Sequence, residues 1–185
     1  MTLAVFVALL FAALLHAVWN AFVRSDRDRS ASAAAIAAGG GVVGAGLLPF
    51  FPAMSWDAVP YLIVTSFVHV LYFVLVARAY DHGELSVAYP VMRGIAPLIA
   101  TVLAAVLVET PAFPVVLGIA VVAAGIVTLG IDGMRRRSGN LVPALVNSGV
   151  IALYTLIDGL GARASGAPET YAAWLMIGSG VLTVT

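Results

Sequence analysis

The sequence is dominated by a series of apolar runs, each about as long as a bilayer is thick. A membrane-spanning helix needs roughly 20 mostly apolar residues. Because backbone N–H and C=O groups cannot stay unpaired in lipid, each run is predicted to form a helix. The runs predict an all-α integral membrane bundle embedded in the lipid bilayer. Seven runs approach or exceed the spanning length: 3–23, 33–52, 59–79, 86–108, 113–132, 141–162 and 170–185.

The composition excludes a water-facing surface of the usual kind. Only 10% of the residues are charged and 62% are hydrophobic, whereas soluble domains carry about a quarter charged residues. The formal net charge is zero, so no nucleic-acid partner is expected. The sequence has no cysteine and none of the HExxH, GxxxxGK[ST] or GxSxG motifs. We therefore expect no catalytic residues, no metal and no cofactor, and predict that the protein is not an enzyme.

The arginines predict the orientation of the chain in the membrane. The second and fourth links between runs hold no arginine, and the sixth holds only Arg163. The positive-inside rule then places the odd-numbered links in the cytoplasm and the N-terminus outside. We expect a multi-pass protein of the plasma membrane or a bacterial inner membrane. The remaining link arginines lie in the first, third and fifth links: Arg24, Arg27, Arg29, Arg78, Arg135, Arg136 and Arg137.

Two charged residues, Arg93 and Asp158, lie away from the last residues of their predicted spans, where an ionisable group is costly and should face a cavity or the bundle interior. Arg93 stands about seven residues into its span, roughly 10 Å along the axis. It is predicted to anchor an anion or carboxylate in a cavity, although its long side chain could instead reach the interface. Asp158 is predicted either to couple transport to protons or to form a charge pair with Arg93, and a purely structural salt bridge is the alternative.

Polar and aromatic side chains at helical spacing complete the candidate cavity. They could equally pack in the core with their polar tips hydrogen-bonded. Pro90 and Pro97 flank Arg93 and are predicted to kink its helix, because each removes a backbone donor. The glycines of 39–46, with Gly118, Gly125 and Gly130, predict either ordinary close helix packing or a moving interface. The candidate cavity residues are His16, Trp19, Asn20, Thr65, His69, Tyr72, Tyr89 and Tyr154.

The sequence contains a weak internal repeat. A shift of 138 residues lays LLHAVWNAFVR (14–24) over ALYTLIDGLGA (152–162). Five spans separate the two copies, so the second enters the membrane in the opposite direction. Inverted repeats of this kind are common in secondary transporters, which bind substrate between them. The shift aligns three pairs: His16 with Tyr154, Asn20 with Asp158, and Gly40 with Gly178.

These motifs resemble the EamA-type branch of the drug/metabolite transporter superfamily. The resemblance is strongest in FVHVLYFVLVARAYDHGELSVAYPVMRGIAPLIATVLAAVLVET (67–110) and FPVVLGIAVVAAGIVTLG (113–130), which match the family's third to fifth spans. LLHAVWNAFVR is similar to its first span, and ALYTLIDGLGARASGAPETYAAW to the start of its second repeat. The positions that match the family's motifs are His16, Trp19, Asn20, Tyr72, Tyr89, Pro90, Arg93 and Pro97, with Tyr154 and Asp158 added by repeat symmetry.

The resemblance implies two inverted five-helix repeats around a central cavity. It implies a secondary carrier or exporter of small organic metabolites that works by alternating access, without identifying the substrate. Residues 1–133 would form the first repeat, 134–140 a basic cytoplasmic linker, and 141–185 the start of the second. We therefore expect further C-terminal helices, or a partner chain, to complete the bundle.

Two other classes of function fit the sequence less well. A non-transporting assembly or scaffold protein needs none of the polar residues inside the spans. A membrane-embedded enzyme acting on lipid needs a catalytic cluster at one interface. Only Asp81, His82 and Glu84 approach such a cluster, and they lie on a link between spans.

Overall fold

All regular elements in the described part of the chain are helical. The computed structural model describes residues 3–82, 85–108, 111–136 and 141–184. Two short 3₁₀ turns, Leu48–Phe50 and Trp56–Ala58, lie between the second and third helices. The seven α-helices are α1 (Leu3–Ser25), α2 (Arg29–Leu47), α3 (Val59–His82), α4 (Leu85–Leu107), α5 (Phe113–Arg136), α6 (Val142–Ser165) and α7 (Pro168–Val184).

Four of these helical stretches are long and apolar enough to cross a membrane. Two shorter apolar stretches, Leu10–Val23 and Phe113–Gly125, lie in α1 and α5. The predicted all-α fold is therefore confirmed, and among the described residues four of the seven predicted spans coincide with helices that are long and apolar enough to cross a membrane. The repeat architecture and the multi-pass topology stay predictions. The four stretches are Ser30–Phe50, Trp56–Asp81, Val87–Leu107 and Val142–Ser165.

The largest difference between predicted and observed helix ends is in α2. The helix begins at Arg29, four residues before the predicted start, because the Asp28 carboxylate accepts a hydrogen bond from the Ala31 backbone N–H at 2.9 Å and caps the helix. In the same link, the Ser32 hydroxyl donates to the Asp26 carboxylate and holds the pKa of Asp26 below its usual value. Polar residues of the first link thus shape the start of α2.

The core lies where α3, α4 and α6 meet. Val76 and Tyr80 of α3, Met92 of α4 and Ile151 of α6 belong to one cluster of buried apolar side chains. α3 and α6 run antiparallel, since Thr65 contacts Asp158 and the later Tyr72 contacts the earlier Tyr154. This three-helix core carries the polar residues described below.

α2 and α7 cross with their backbones in close contact. A Cβ built on Gly44 would lie 2.7 Å from the Ala173 carbonyl oxygen, and one on Gly180 would lie 2.7 Å from that of Ala37. The order of these contacts shows that the two helices are antiparallel. By contrast, a Cβ on Gly118 of α5 would meet nothing within 4 Å. The predicted close packing therefore holds for the glycines of α2 that face α7, and not for Gly118.

α1 and α5 lie at the edge of the bundle. The apolar side chains of α1 are mostly exposed, and in α5 the described apolar side chains are too. Asn20 and Val23 are the buried residues of α1 among those described. In a membrane such apolar surfaces face lipid or other helices, so their exposure fits a bilayer environment.

Candidate functional site

Arg93 is a half-buried cation inside the apolar helix α4. The helix begins at Leu85, so Arg93 stands about 12 Å along its axis. Its guanidinium contacts the His16 ring of α1. The phenols of Tyr72, Tyr89 and Tyr154 are its electrostatic neighbours. In the described part of the chain no carboxylate contacts Arg93, so its charge is surrounded by neutral polar groups.

A cavity of about 480 Å³ lies beside Arg93, between α4, α5 and α6. Its wall follows α4 from Arg93 to Val108, a length of about 22 Å, and ends on α6 at Arg163. The lining is mostly apolar, and its charged side chains are the two arginines, with no Asp or Glu among the described residues. This volume lies within the range of small-molecule sites. A positive, largely apolar wall suits an organic anion.

The two prolines beside Arg93 lie inside α4 without ending it. Pro97 lacks the backbone N–H that would otherwise bond to the Arg93 carbonyl four residues earlier. The Thr101 hydroxyl donates to the Pro97 carbonyl at 2.7 Å. Pro97 and Thr101 both line the cavity. Both prolines thus lie inside α4, and the kink that they are predicted to cause stays a prediction.

Asp158 has a separate set of partners on α3 and α7. The Thr65 hydroxyl donates to Asp158 Oδ1 at 2.7 Å, and the Tyr171 hydroxyl donates to the same oxygen at 3.2 Å. His69 Nε2 lies 4.0 Å from Asp158 Oδ2. The predicted charge pair between Asp158 and Arg93 is not formed in the described structure, because the hydrogen-bond donors to Asp158 come from α3 and α7, whereas Arg93 contacts the His16 ring and neighbouring phenols. The sequence could not show that the two residues have separate partners, since the contacts between α4, which carries Arg93, and α6, which carries Asp158, are known only from the structure.

Aromatic rings join the Arg93 and Asp158 sites. The His69 ring lies over the Tyr154 ring with centroids 4.3 Å apart and planes 34° apart. Tyr72 meets Tyr154 edge to face at 5.5 Å. Tyr154 also lines the cavity and neighbours Arg93. Tyr154 thus connects the two sites. The predicted residues that form one continuous surface are Arg93, Tyr154, Tyr72, His69 and Asp158.

The remaining predicted residues of α1 lie beside this surface. Trp19 Nε1 donates to His16 Nδ1 at 3.0 Å, and its ring lies 6.3 Å from that of Phe73. The Asn20 side chain donates to the His16 carbonyl at 2.7 Å and accepts from the Tyr80 hydroxyl at 2.6 Å. Asn20 therefore joins α1 to α3, and its hydrogen bonds are those of a packing residue.

Sequence reasoning missed several polar residues of α6 and α7. Asn147 is fully buried, donates to the Met92 sulfur at 3.1 Å, and leaves its Oδ1 without a hydrogen-bond partner. Ser148 is also fully buried and donates to the Val91 carbonyl at 3.3 Å. Tyr171 was missed although it completes the Asp158 site. The Asn-Ser pair inside an apolar run is the sequence signal that could have revealed Asn147 and Ser148. No local sequence pattern marks Tyr171.

Several predicted features lie outside the described residues. These are Glu84 of the link cluster, and Arg137 with the rest of 137–140. Of the His82 side chain nothing is described. The alternative enzyme site on that link and the basic linker therefore stay predictions.

Comparison with known proteins adds no relative, since no family model, no curated protein and no solved structure matches this chain. Function must therefore be argued from the site. Its two elements are a cation beside a cavity and a carboxylate held by hydroxyl donors.

Proposed function

We propose that this protein is a secondary carrier that moves small organic metabolites across a membrane by alternating access. The observation that carries the proposal is Arg93, a cation without a carboxylate partner in the described structure, in the wall of a cavity of about 480 Å³. A charge taken out of water is costly unless it is paired. A substrate with an acidic group would supply the partner, so the favoured substrates are organic anions with an apolar body.

The family resemblance and the weak repeat agree with this proposal. The repeat aligns His16 with Tyr154, and both are neighbours of Arg93. It also aligns Gly40 with Gly178, and the antiparallel crossing of α2 and α7 lies beside these glycines. Two halves related by an inverted repeat would meet at such equivalent positions. These contacts support membership of the EamA-type branch of the drug/metabolite transporter superfamily.

The proposal is tested by reconstituting the full-length protein in liposomes. The probe is a defined mixture of small carboxylic acids and their neutral amides, and mass spectrometry measures what enters. Arg93→Ala is expected to reduce uptake of the acids at least tenfold, since a buried charge pair is worth several kcal/mol. The amides should enter poorly in both proteins.

The matched control is Arg27→Ala, which removes an exposed arginine from the first link. It should leave uptake unchanged. Wild-type uptake no greater than that of protein-free liposomes would contradict the proposed function. Equal uptake of acids by wild type and Arg93→Ala would remove Arg93 from the site.

A further inference from the structure

His69 and Asp158 face each other with two hydrogen-bond acceptors. His69 Nδ1 lies 3.0 Å from the Thr65 carbonyl oxygen. A carbonyl oxygen can only accept, so Nδ1 must carry a proton and donate it. In the neutral ring Nε2 then has a lone pair, and this atom lies 4.0 Å from Asp158 Oδ2. His69 Nε2 and Asp158 Oδ2 are therefore both hydrogen-bond acceptors, and one added proton would lie between them.

The other donors around the Asp158 carboxylate are already committed. The hydroxyls of Thr65 and Tyr171 both donate to Oδ1, whereas the His69 ring faces Oδ2. The side chains of His69 and Asp158 are 15% and 23% exposed. They are sheltered enough to interact strongly and open enough to exchange a proton with water.

Among the described residues, the groups that hydrogen-bond to Asp158 come from α3 and α7, which supply Thr65 and Tyr171. The carboxylates of these two helices are the exposed Asp81 and Glu169, near the end of α3 and the start of α7. On α4, Arg93 neighbours Tyr154 and Tyr89. The next cation on α6 is Arg163, at the cavity wall. The 3₁₀ turn against α6 carries Asp57, whose exposed carboxylate accepts from the Ser55 hydroxyl.

We infer that His69 Nε2 and Asp158 Oδ2 bind one exchangeable proton, and that this proton is the coupling ion of the proposed carrier. A proton taken from water binds to Nε2 and converts the neutral imidazole and the carboxylate into an ion pair. The local charge changes from −1 to zero. This inference rests on the proposed function for its second half, whereas proton binding itself does not depend on transport.

Tyr154 gives the proton a route of influence on the substrate site. Its ring lies on His69, and it lines the cavity beside Arg93. When the pair holds its proton, the negative charge near the cavity is cancelled and Arg93 attracts an anion more strongly. Linkage is reciprocal, so an anion bound at Arg93 favours proton binding by the same factor. Proton and organic anion are thus expected to bind together.

Proton binding is tested by nuclear magnetic resonance of the full-length protein labelled with ¹⁵N-histidine. The chain has three histidines, and His69→Gln identifies the His69 signal. The ¹⁵N chemical shift of Nε2 reports whether that atom carries a proton. Asp158→Asn should shift this signal toward the neutral form at a given pH, because the imidazolium loses its partner. Asp57→Asn, which alters an exposed carboxylate elsewhere, should not.

Coupling is tested in the liposome assay with an imposed pH gradient. An acidic exterior should raise uptake of the acid mixture in wild type and in Asp57→Asn, and His69→Gln and Asp158→Asn should abolish that stimulation. A His69 Nε2 that stays unprotonated at every pH tested, or a His69 signal that Asp158→Asn leaves unchanged, would overturn the proton site. Uptake by wild type that ignores the gradient would overturn coupling alone, and absent uptake would overturn the carrier.

Discussion

Arg93 and Asp158 are both charged residues within apolar helices, where burying a charge costs free energy. Their surroundings differ. Asp158 accepts two hydroxyl hydrogen bonds from neighbouring helices. Arg93 is surrounded by imidazole and phenol groups that carry no opposite charge. The Asp158 carboxylate is thus held in place by hydrogen bonds, whereas the positive charge of the Arg93 guanidinium has no anionic partner among the described residues. That difference supports the proposed roles, which are substrate binding for Arg93 and structure or proton exchange for Asp158.

Thr65→Val is predicted to destabilise the protein by removing a donor from Asp158 while keeping the side-chain shape. Thr65 is fully buried, and a hydrogen bond to a charged group is worth about 1.5–3 kcal/mol. Thermal unfolding in detergent should show the loss. Thr183→Val is the matched control, because the Thr183 hydroxyl donates within its own helix to the Ser179 carbonyl. Equal effects of the two substitutions would deny Thr65 its role.

The sequence alone indicated Arg93 and Asp158 as candidate site residues, because a charged residue inside an apolar run is unusual. It predicted Thr65, His69 and Tyr72 from their shared helix face. It did not predict the partners of Asp158, because Thr65 lies 93 residues away on α3 and Tyr171 lies 13 residues away, beyond the next link. The buried Asn147 was missed for a related reason. An amide is common in helix contacts, and its isolation is visible only once its neighbours are known.

At the scale of the helices, the predicted positions agree with the structure to within about five residues. Apolar length fixes a span closely, and Pro114 and Pro143 lie near the first residues of α5 and α6, where proline is tolerated. The ends of α2 were less well predicted. Its cap at Asp28 lies in a charged stretch that hydropathy assigns to a link. Capping is a local hydrogen-bond property, so apolar length does not reveal it.

Gly44→Ala is predicted to weaken the contact between α2 and α7. The added methyl group would lie 2.7 Å from a backbone carbonyl that cannot move aside, and overpacking of this kind costs about 1–3 kcal/mol. Gly46→Ala is the control on the same helix, since its Cβ would meet nothing within 4 Å. Alanine has the better helix propensity, so Gly46→Ala should unfold at the same or a higher temperature. A Gly44→Ala protein as stable as Gly46→Ala would contradict the close crossing.

At the scale of the whole molecule, the second and sixth links lie at the same end of the bundle. The Ser55 backbone N–H donates to the Ser165 carbonyl at 2.8 Å. The Thr170 hydroxyl donates to the Pro52 carbonyl at 2.6 Å. The arginine distribution predicts that this end faces away from the cytoplasm. Structure and charge thus combine into a statement about sidedness.

That sidedness is testable because the chain contains no cysteine. Single cysteines are introduced at three exposed positions, as Arg27→Cys, Asp57→Cys and Glu169→Cys. In intact cells a membrane-impermeant maleimide should label Asp57→Cys and Glu169→Cys, and label Arg27→Cys only after permeabilisation. Labelling of Asp57→Cys and Glu169→Cys from opposite sides would contradict the observed contact between the links. Labelling of Arg27→Cys in intact cells would reverse the predicted orientation.

The crossing of α2 and α7 has a mechanical consequence. At Gly44 and Gly180 each helix lies against the backbone of the other, and Met176 and Ile177 of α7 lie against Gly44. Because glycine has no side chain, a rotation of α7 at this crossing has few α2 side chains to displace. For the proposed carrier, we expect this crossing to be a pivot between the predicted first and second repeats.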